Sequence, residues 1–184
     1  MGDTTLLIEQ ARDGDRAAFD RLFERLYPEL RAAAHRRLSR HSREEAVDTT
    51  ALVNECYLKL SRVEGLPTVD RAHFLAYAAS VMRSIIVDAA RAAQAERRGG
   101  GVDAVPLDTT LVDQLPDPAV EILDVDAALR DLAQIDARLA QVVELRYFGG
   151  LNDAEIGEAL SISDRTVRRD WEKARLLLAH ALRA

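Results

Sequence analysis

Residues Asn152 to Trp171 read NDAEIGEALSISDRTVRRDW, and their spacing predicts two helices joined by a tight turn. Asn152 can cap the first helix, with Glu155 three residues on to return a bond, a variant of the capping box. Ile156 and Leu160 fall on one face of that helix. Gly157 stands where two crossing helices leave room only for a small residue. Ser161-Ile162-Ser163 forms the turn, and Ser163 can cap the second helix by accepting from a backbone N–H near Thr166. Along the second helix Val167, Trp171, Ala174 and Leu178 make an apolar stripe, whereas Arg165, Arg168, Arg169, Glu172 and Arg175 lie elsewhere. An anchored inner face beside an arginine-rich outer face is the pattern of a helix-turn-helix whose second helix enters a DNA major groove. Such turns usually carry glycine where Ser161 stands, because the backbone there takes positive φ. The competing reading is a plain helical hairpin with a solvated charged face.

Outside this stretch helical periodicity dominates. A short helix is expected over about Thr5–Asp13. A second follows the Asp15 cap, with Phe19, Leu22, Phe23, Leu26 and Leu30 inward and Pro28 expected to kink or split it. A third is expected over about Glu44–Leu60, with Val47, Leu52, Val53, Cys56, Tyr57 and Leu60 apolar. A loop over Ser61–Asp70 precedes a long helix over Arg71–Arg97. Phe74, Ala78, Val81, Met82, Ile85 and Ala89 should face inward there, and Arg83, Asp88, Arg91 and Arg98 outward. Gly99-Gly100-Gly101 ends this part. Three prolines and regular acids then predict an extended linker. Four shorter helices follow, over about 120–133, 136–148, 153–160 and 164–182, with Gly149-Gly150 as a C-cap. The expectation is an all-α chain of two helical domains, 1–98 and 120–184, joined by an acidic linker at 99–119. Their relative orientation should be weakly set.

The net charge of −6 argues against nucleic acid until its distribution is seen. Residues 99–136 hold nine acids and one base, Arg130, whereas the rest of the chain carries 24 bases against 22 acids. From Arg165 to Ala184 there are six bases and two acids. A single cysteine, Cys56, excludes an internal disulfide and fits a reducing cytoplasm. No apolar run approaches the ~20 residues of a membrane span, and the N-terminus is not a signal peptide. His35, His41, His73 and His180 lack metal-ligand spacing with Cys56 or the carboxylates. No nucleophile has a partner pattern, and Gly99–Gly101 is not followed by a phosphate-binding signature.

Four stretches in order resemble bacterial sigma-70-type factors of the extracytoplasmic-function (ECF) group, over almost the whole chain. GDRAAFDRLFERLYPEL (14–30), TALVNECYLKL (50–60) and HFLAYAASVMRSIIVDAAR (73–91) resemble sigma region 2. LRYFGGLNDAEIGEALSISDRTVRRDWEKAR (145–175) resembles sigma region 4. The resemblance implies a transcription initiation factor rather than an enzyme, with no cofactor and no metal. It would bind core RNA polymerase at the β′ clamp and β flap, and read promoter DNA. Ser163, Arg165, Thr166, Arg168, Arg169 and Lys173 would face the −35 element. Ser61, Arg62, Arg83, Ser84, Asp88, Arg91, Arg97 and Arg98 would face the −10 element, though the family more often has Asn where Ser84 stands. Asp48, Thr50, Leu52, Val53, Asn54 and Glu55 would face polymerase. The acidic linker would follow the RNA path.

In many relatives the polymerase-binding helix opens DAEDLVQE. Here Asp48-Thr49-Thr50-Ala51-Leu52-Val53-Asn54-Glu55 lacks the two central acids. Phosphorylation of Thr50, or else Thr49, by a Ser/Thr kinase would restore that charge. The competing reading is that the remaining contacts suffice. An anti-sigma factor is the other regulatory partner the resemblance implies. Two further classes remain: a repressor or activator with its own ligand or dimer site, and a module that captures polymerase without reading DNA. Residues 1–98 show no clear pocket or dimer helix for the first, and the exposed arginines of the last helix oppose the second.

Overall fold

The computed structural model describes residues 2–38, 49–63, 65–99 and 118–182. Among them are eight helices and no strand: α1 (Gly2–Arg12), α2 (Arg16–Leu38), α3 (Thr49–Leu60), α4 (Arg71–Gly99), α5 (Pro118–Ile135), α6 (Ala137–Tyr147), α7 (Asp153–Leu160) and α8 (Asp164–Ala181). This is the all-α architecture that the helical periodicity predicts. Most of the expected linker, residues 100–117, lies outside the described residues, as do Glu44, Val47 and Asp48. Pro118 opens α5, where its missing N–H costs nothing and its fixed φ suits a first turn.

The first four helices assemble around α4. Phe19, Leu22, Phe23, Leu26 and Leu30 of α2 are buried, as are Leu52, Val53, Cys56 and Leu60 of α3. Phe19, Phe23 and Tyr57 stack, with ring centroids 5.1–6.1 Å apart. Arg16 ties the start of α2 to the end of α3, donating from Nη1 to the Ser61 carbonyl at 2.6 Å and from Nη2 to Tyr57 Oη at 3.0 Å. Pro28 does not split α2, which runs continuously from Arg16 to Leu38. Proline removes one intrahelical bond, but Leu26 and Leu30 on either side are buried and keep the helix continuous.

A single expected inner stripe understates α4. Phe74, Ala78, Met82 and Ile85 are buried as expected, but Leu75, Ala79, Ile86, Val87 and Ala90 are buried as well. The helix is therefore covered on two sides. One packs on α1, α2 and α3, the other on α5, α6 and α7. Val81 and Ala89 are only half-buried.

The orientation of the two halves thus rests on more than a small polar contact. A continuous buried cluster runs from Leu75 and Ala79 into Phe148 and Leu151. Gly149 is needed there, because a Cβ on it would stand 2.5 Å from Ala79 Cβ and 2.7 Å from the Leu145 carbonyl oxygen. Gly150, at φ 61°, turns the chain out of α6. Ion pairs between α4 and helices α5 and α6 reinforce the same contact.

Candidate nucleic-acid interface

Local chemistry builds α7 and α8 as their residues predict. The Asn152 side chain accepts from the Glu155 N–H at 3.0 Å, and Glu155 Oε2 accepts from the Asn152 N–H at 2.9 Å, completing the capping box. A Cβ on Gly157 would stand 2.7 Å from the Ile162 carbonyl oxygen, so only glycine fits the crossing. Ser161 takes the left-handed conformation, φ 54° and ψ 43°, which glycine fills at lower cost. Ser163 Oγ accepts from the Thr166 N–H at 3.2 Å and lies 3.0 Å from Thr166 Oγ1. Both hydroxyls are thereby engaged in starting α8.

Val167 and Ala174 anchor α8 and are fully buried. Trp171 is half-buried, with the Arg146 guanidinium 4.8 Å from its ring centroid. Burial lowers the Arg146 pKa, against the opposing charge of Glu172. The stripe also holds an unexpected member. Asp170 is 2% exposed and accepts from Arg138 Nε of α6 at 2.7 Å. A buried carboxylate requires such a partner. The spacing of Asp170 with the apolar stripe, three residues after Val167, was the available signal.

Arg165, Arg168, Arg169 and Glu172 fall on one exposed face of α8. The Arg168 and Arg169 side chains are 69% and 70% exposed. Arg168 Nε lies 3.4 Å from Asp153, and Arg169 Nε lies 3.4 Å from Asp170. Lys173 Nζ lies 3.8 Å from Asp136, the N-cap of α6.

The second cluster is on α4. Ser84, Asp88 and Arg91 are exposed along one edge of the helix. Lys59, which the sequence reading did not single out, reaches across from α3 to Ser84 Oγ at 3.2 Å and Asp88 Oδ2 at 3.4 Å. Arg62 is exposed and Ser61 half-buried beside them. The side chains of Arg97 and Arg98 lie outside the described residues. Arg83 departs from its expected exposed position, with its side chain only 18% exposed. It donates from Nε and Nη2 to Asp126 at 3.1 and 2.8 Å, pairs through Nη1 with Glu144, and lies over Phe148. Burial opposes its charge, but the hydrogen bond to Asp126 and the charge of Glu144 outweigh this and raise its pKa above the ordinary arginine value.

The α3 face divides. Leu52 and Val53 are fully buried in the core and cannot form an outer surface, since a helix with one face packed keeps those positions inward. Thr50, Asn54 and Glu55 are exposed, Thr49 is half-buried, and Leu58 joins them at 44% exposed. Asp48 lies outside the described residues.

The family model for the ECF sigma factor matches residues 1–184. The chain belongs to the ECF sigma factor family. Members bind core RNA polymerase and promoter DNA and start transcription at chosen promoters, as initiation factors rather than enzymes. No curated protein matches this sigma factor. Among its described residues no helix is long and apolar enough to cross a membrane, and no three His, Cys, Asp or Glu side chains gather in a way that could hold a metal ion.

Proposed function

We infer that this sigma factor acts in the cytoplasm as two promoter-reading domains, residues 1–98 and 120–184, joined by the acidic segment 99–119. In this reading α8 reads the −35 element through Arg165, Arg168, Arg169 and Lys173, with Ser163 and Thr166 setting its first turn. Lys59, Ser61, Arg62, Arg83, Ser84, Asp88, Arg91, Arg97 and Arg98 serve the −10 element. The exposed part of α3, centred on Thr50, Asn54, Glu55 and Leu58, meets the β′ clamp, and the C-terminal domain meets the β flap. The observation carrying the −35 assignment is the exposed row of Arg165, Arg168 and Arg169 on a helix capped by Ser163. A bidentate arginine–guanine contact contributes about 1–3 kcal/mol of discrimination. The test is run-off transcription with core polymerase in the presence and absence of the factor. Promoter-specific transcripts are expected only in its presence.

Phosphorylation of Thr50 belongs to the same reading. Thr50 is exposed in the first turn of α3, where the helix dipole favours a phosphate, and Thr49 is less accessible. Affinity for core polymerase should rise on treatment with a Ser/Thr kinase and for Thr50→Glu, and stay low for Thr50→Ala. Equal binding by unmodified wild type and phosphorylated protein would remove the switch. Control by an anti-sigma factor would then be the alternative to examine.

A further inference from the structure

Arg16 opens α2, an end of a helix where the dipole disfavours a cation. Its side chain crosses instead to the end of α3, where the dipole favours one. Each guanidinium nitrogen has a different partner there. Nη1 donates to the Ser61 carbonyl at 2.6 Å, Nη2 donates to Tyr57 Oη at 3.0 Å, and Nε lies 3.3 Å from Asp20. Tyr57 Oη in turn donates to Asp20 at 2.9 Å. The guanidinium lies 5.5 and 5.6 Å from the ring centroids of Phe19 and Tyr57. Of these partners only Ser61 belongs to the loop that leads into α4. That loop meets the same corner of the fold again at Gly65. Its φ is 69°, and a Cβ on it would stand 3.4 Å from the Arg12 carbonyl oxygen at the end of α1. Beyond it Leu66 and Thr68 are buried, whereas Gly65, Pro67 and Val69 are exposed. Asp70 closes the far end by accepting from the His73 N–H at 2.8 Å, in the first turn of α4.

We propose that Arg16 is a positioning residue for the −10 loop. It fixes the Ser61 carbonyl, and with it the direction in which Arg62 and the exposed residues after it leave α3, without touching DNA itself. The role rests on the assignment of Ser61 and Arg62 to the −10 element made above. A hydrogen bond from a charged donor is stronger than one between neutral groups, so this contact holds the outgoing backbone more firmly than a solvated carbonyl would be held. Less ordering of the loop is then left for the moment when the promoter strand binds. Tyr57 and Asp20 orient the guanidinium, and Ser61 is where that orientation is passed to the loop.

The test uses the full chain with core polymerase, at saturating factor, on a promoter that gives a factor-dependent transcript. Opening is read as permanganate reactivity of thymines in the −10 element, beside affinity for polymerase and the thermal midpoint of the free factor. Arg16→Ala should bind polymerase as wild type does and keep nearly the same midpoint, since its side chain is 53% exposed. It should open the promoter about tenfold less, the scale of one charge-assisted contact. Tyr57→Phe removes the tie through Oη but leaves the bond to Ser61, so it should open the promoter as wild type does. Should Arg16→Ala fold poorly, Arg16→Lys takes its place. It keeps a cation beside the two rings, but one ammonium lacks the fork that serves Ser61, Tyr57 and Asp20 together, and opening should again fall. Arg62→Ala reports on the loop itself. Impaired opening in Arg62→Ala beside normal opening in the Arg16 variants would overturn the positioning role and leave the loop's assignment standing. Equal losses in Tyr57→Phe and Arg16→Ala would do the same, because the tie between α2 and α3 would then be what matters. Normal opening in Arg62→Ala would overturn the assignment of the loop to the −10 element, and the positioning role with it.

Discussion

Ser161 and Gly157 show how single positions fix the crossing of α7 and α8. Ser161 holds a left-handed backbone that costs an L-residue about 1–2 kcal/mol, only partly offset by the lower entropy of its unfolded chain relative to glycine. Ser161→Gly should therefore raise stability by about 0.5–1 kcal/mol, read as a higher urea midpoint at unchanged slope. Gly157→Ala should lower it by about 1–3 kcal/mol, because its Cβ would press on the Ile162 carbonyl. Cys56 is a second such position. Burial pushes its thiol up to about 12, with Lys59 opposing weakly. The folded state thus holds the proton more tightly than the unfolded state. The resulting stability is fully present below the unfolded thiol's pKa, near 9.0, and is lost as pH rises towards 12. Iodoacetamide should leave Cys56 unmodified in native protein at pH 8 and label it rapidly in urea. Denaturation midpoints should begin to fall above pH 9, and Cys56→Ser should flatten that fall.

Among the helices, α8 keeps its exposed arginines apart from its buried anchors, so the proposed reading and the folding can be tested separately. Arg168→Ala or Arg169→Ala should weaken promoter binding while leaving the thermal midpoint nearly unchanged, since both side chains are exposed and their ion pairs are screened. Trp171→Ala should cost about 2 kcal/mol of stability, less than the loss for a fully buried tryptophan, because the ring is half-covered and shares a cation–π contact with Arg146. Calorimetry beside a DNA-binding titration distinguishes the two classes. Equal thermal losses would contradict the division. How much of this was legible in sequence differs by element. Capping and the turn of α7 and α8 are local events, so Asn152, Gly157, Ser161 and Ser163 announce their roles by spacing alone. The burial of Arg83 was not legible, because its carboxylates come from 43 and 61 residues away and no periodicity encodes that meeting. The second buried face of α4 was hidden by its alanines. Ala79 and Ala90 fit a surface or a tight crossing equally well, and only the partner helices decide. Pro28 does not split α2, since tertiary burial of Leu26 and Leu30 overrides a local breaking preference.

At the scale of the molecule, net charge conceals an ordered arrangement. The chain is −6, yet Arg168, Arg169 and Lys173 each lie beside a carboxylate. Those neighbours are Asp153, Asp170 and Asp136. Of these, Asp170 also keeps Arg138 and Asp153 keeps Arg146 when α8 turns to another ligand. The exposed face of α8 therefore carries built-in counterions. A protein that neutralises Z phosphates ordinarily shows a salt slope near −0.9Z, from cations shed by the duplex. Here some of those cations are recaptured by the acids left behind, so the net ion release is smaller than the number of contacts. The logarithmic salt dependence of binding to duplex DNA should be shallower than the contact count predicts. Asp136→Asn should steepen it, and an unchanged slope would show that this acid does not act as an internal counterion. A factor built in this way should hold its promoter affinity across swings in ionic strength that would release a more nakedly basic helix.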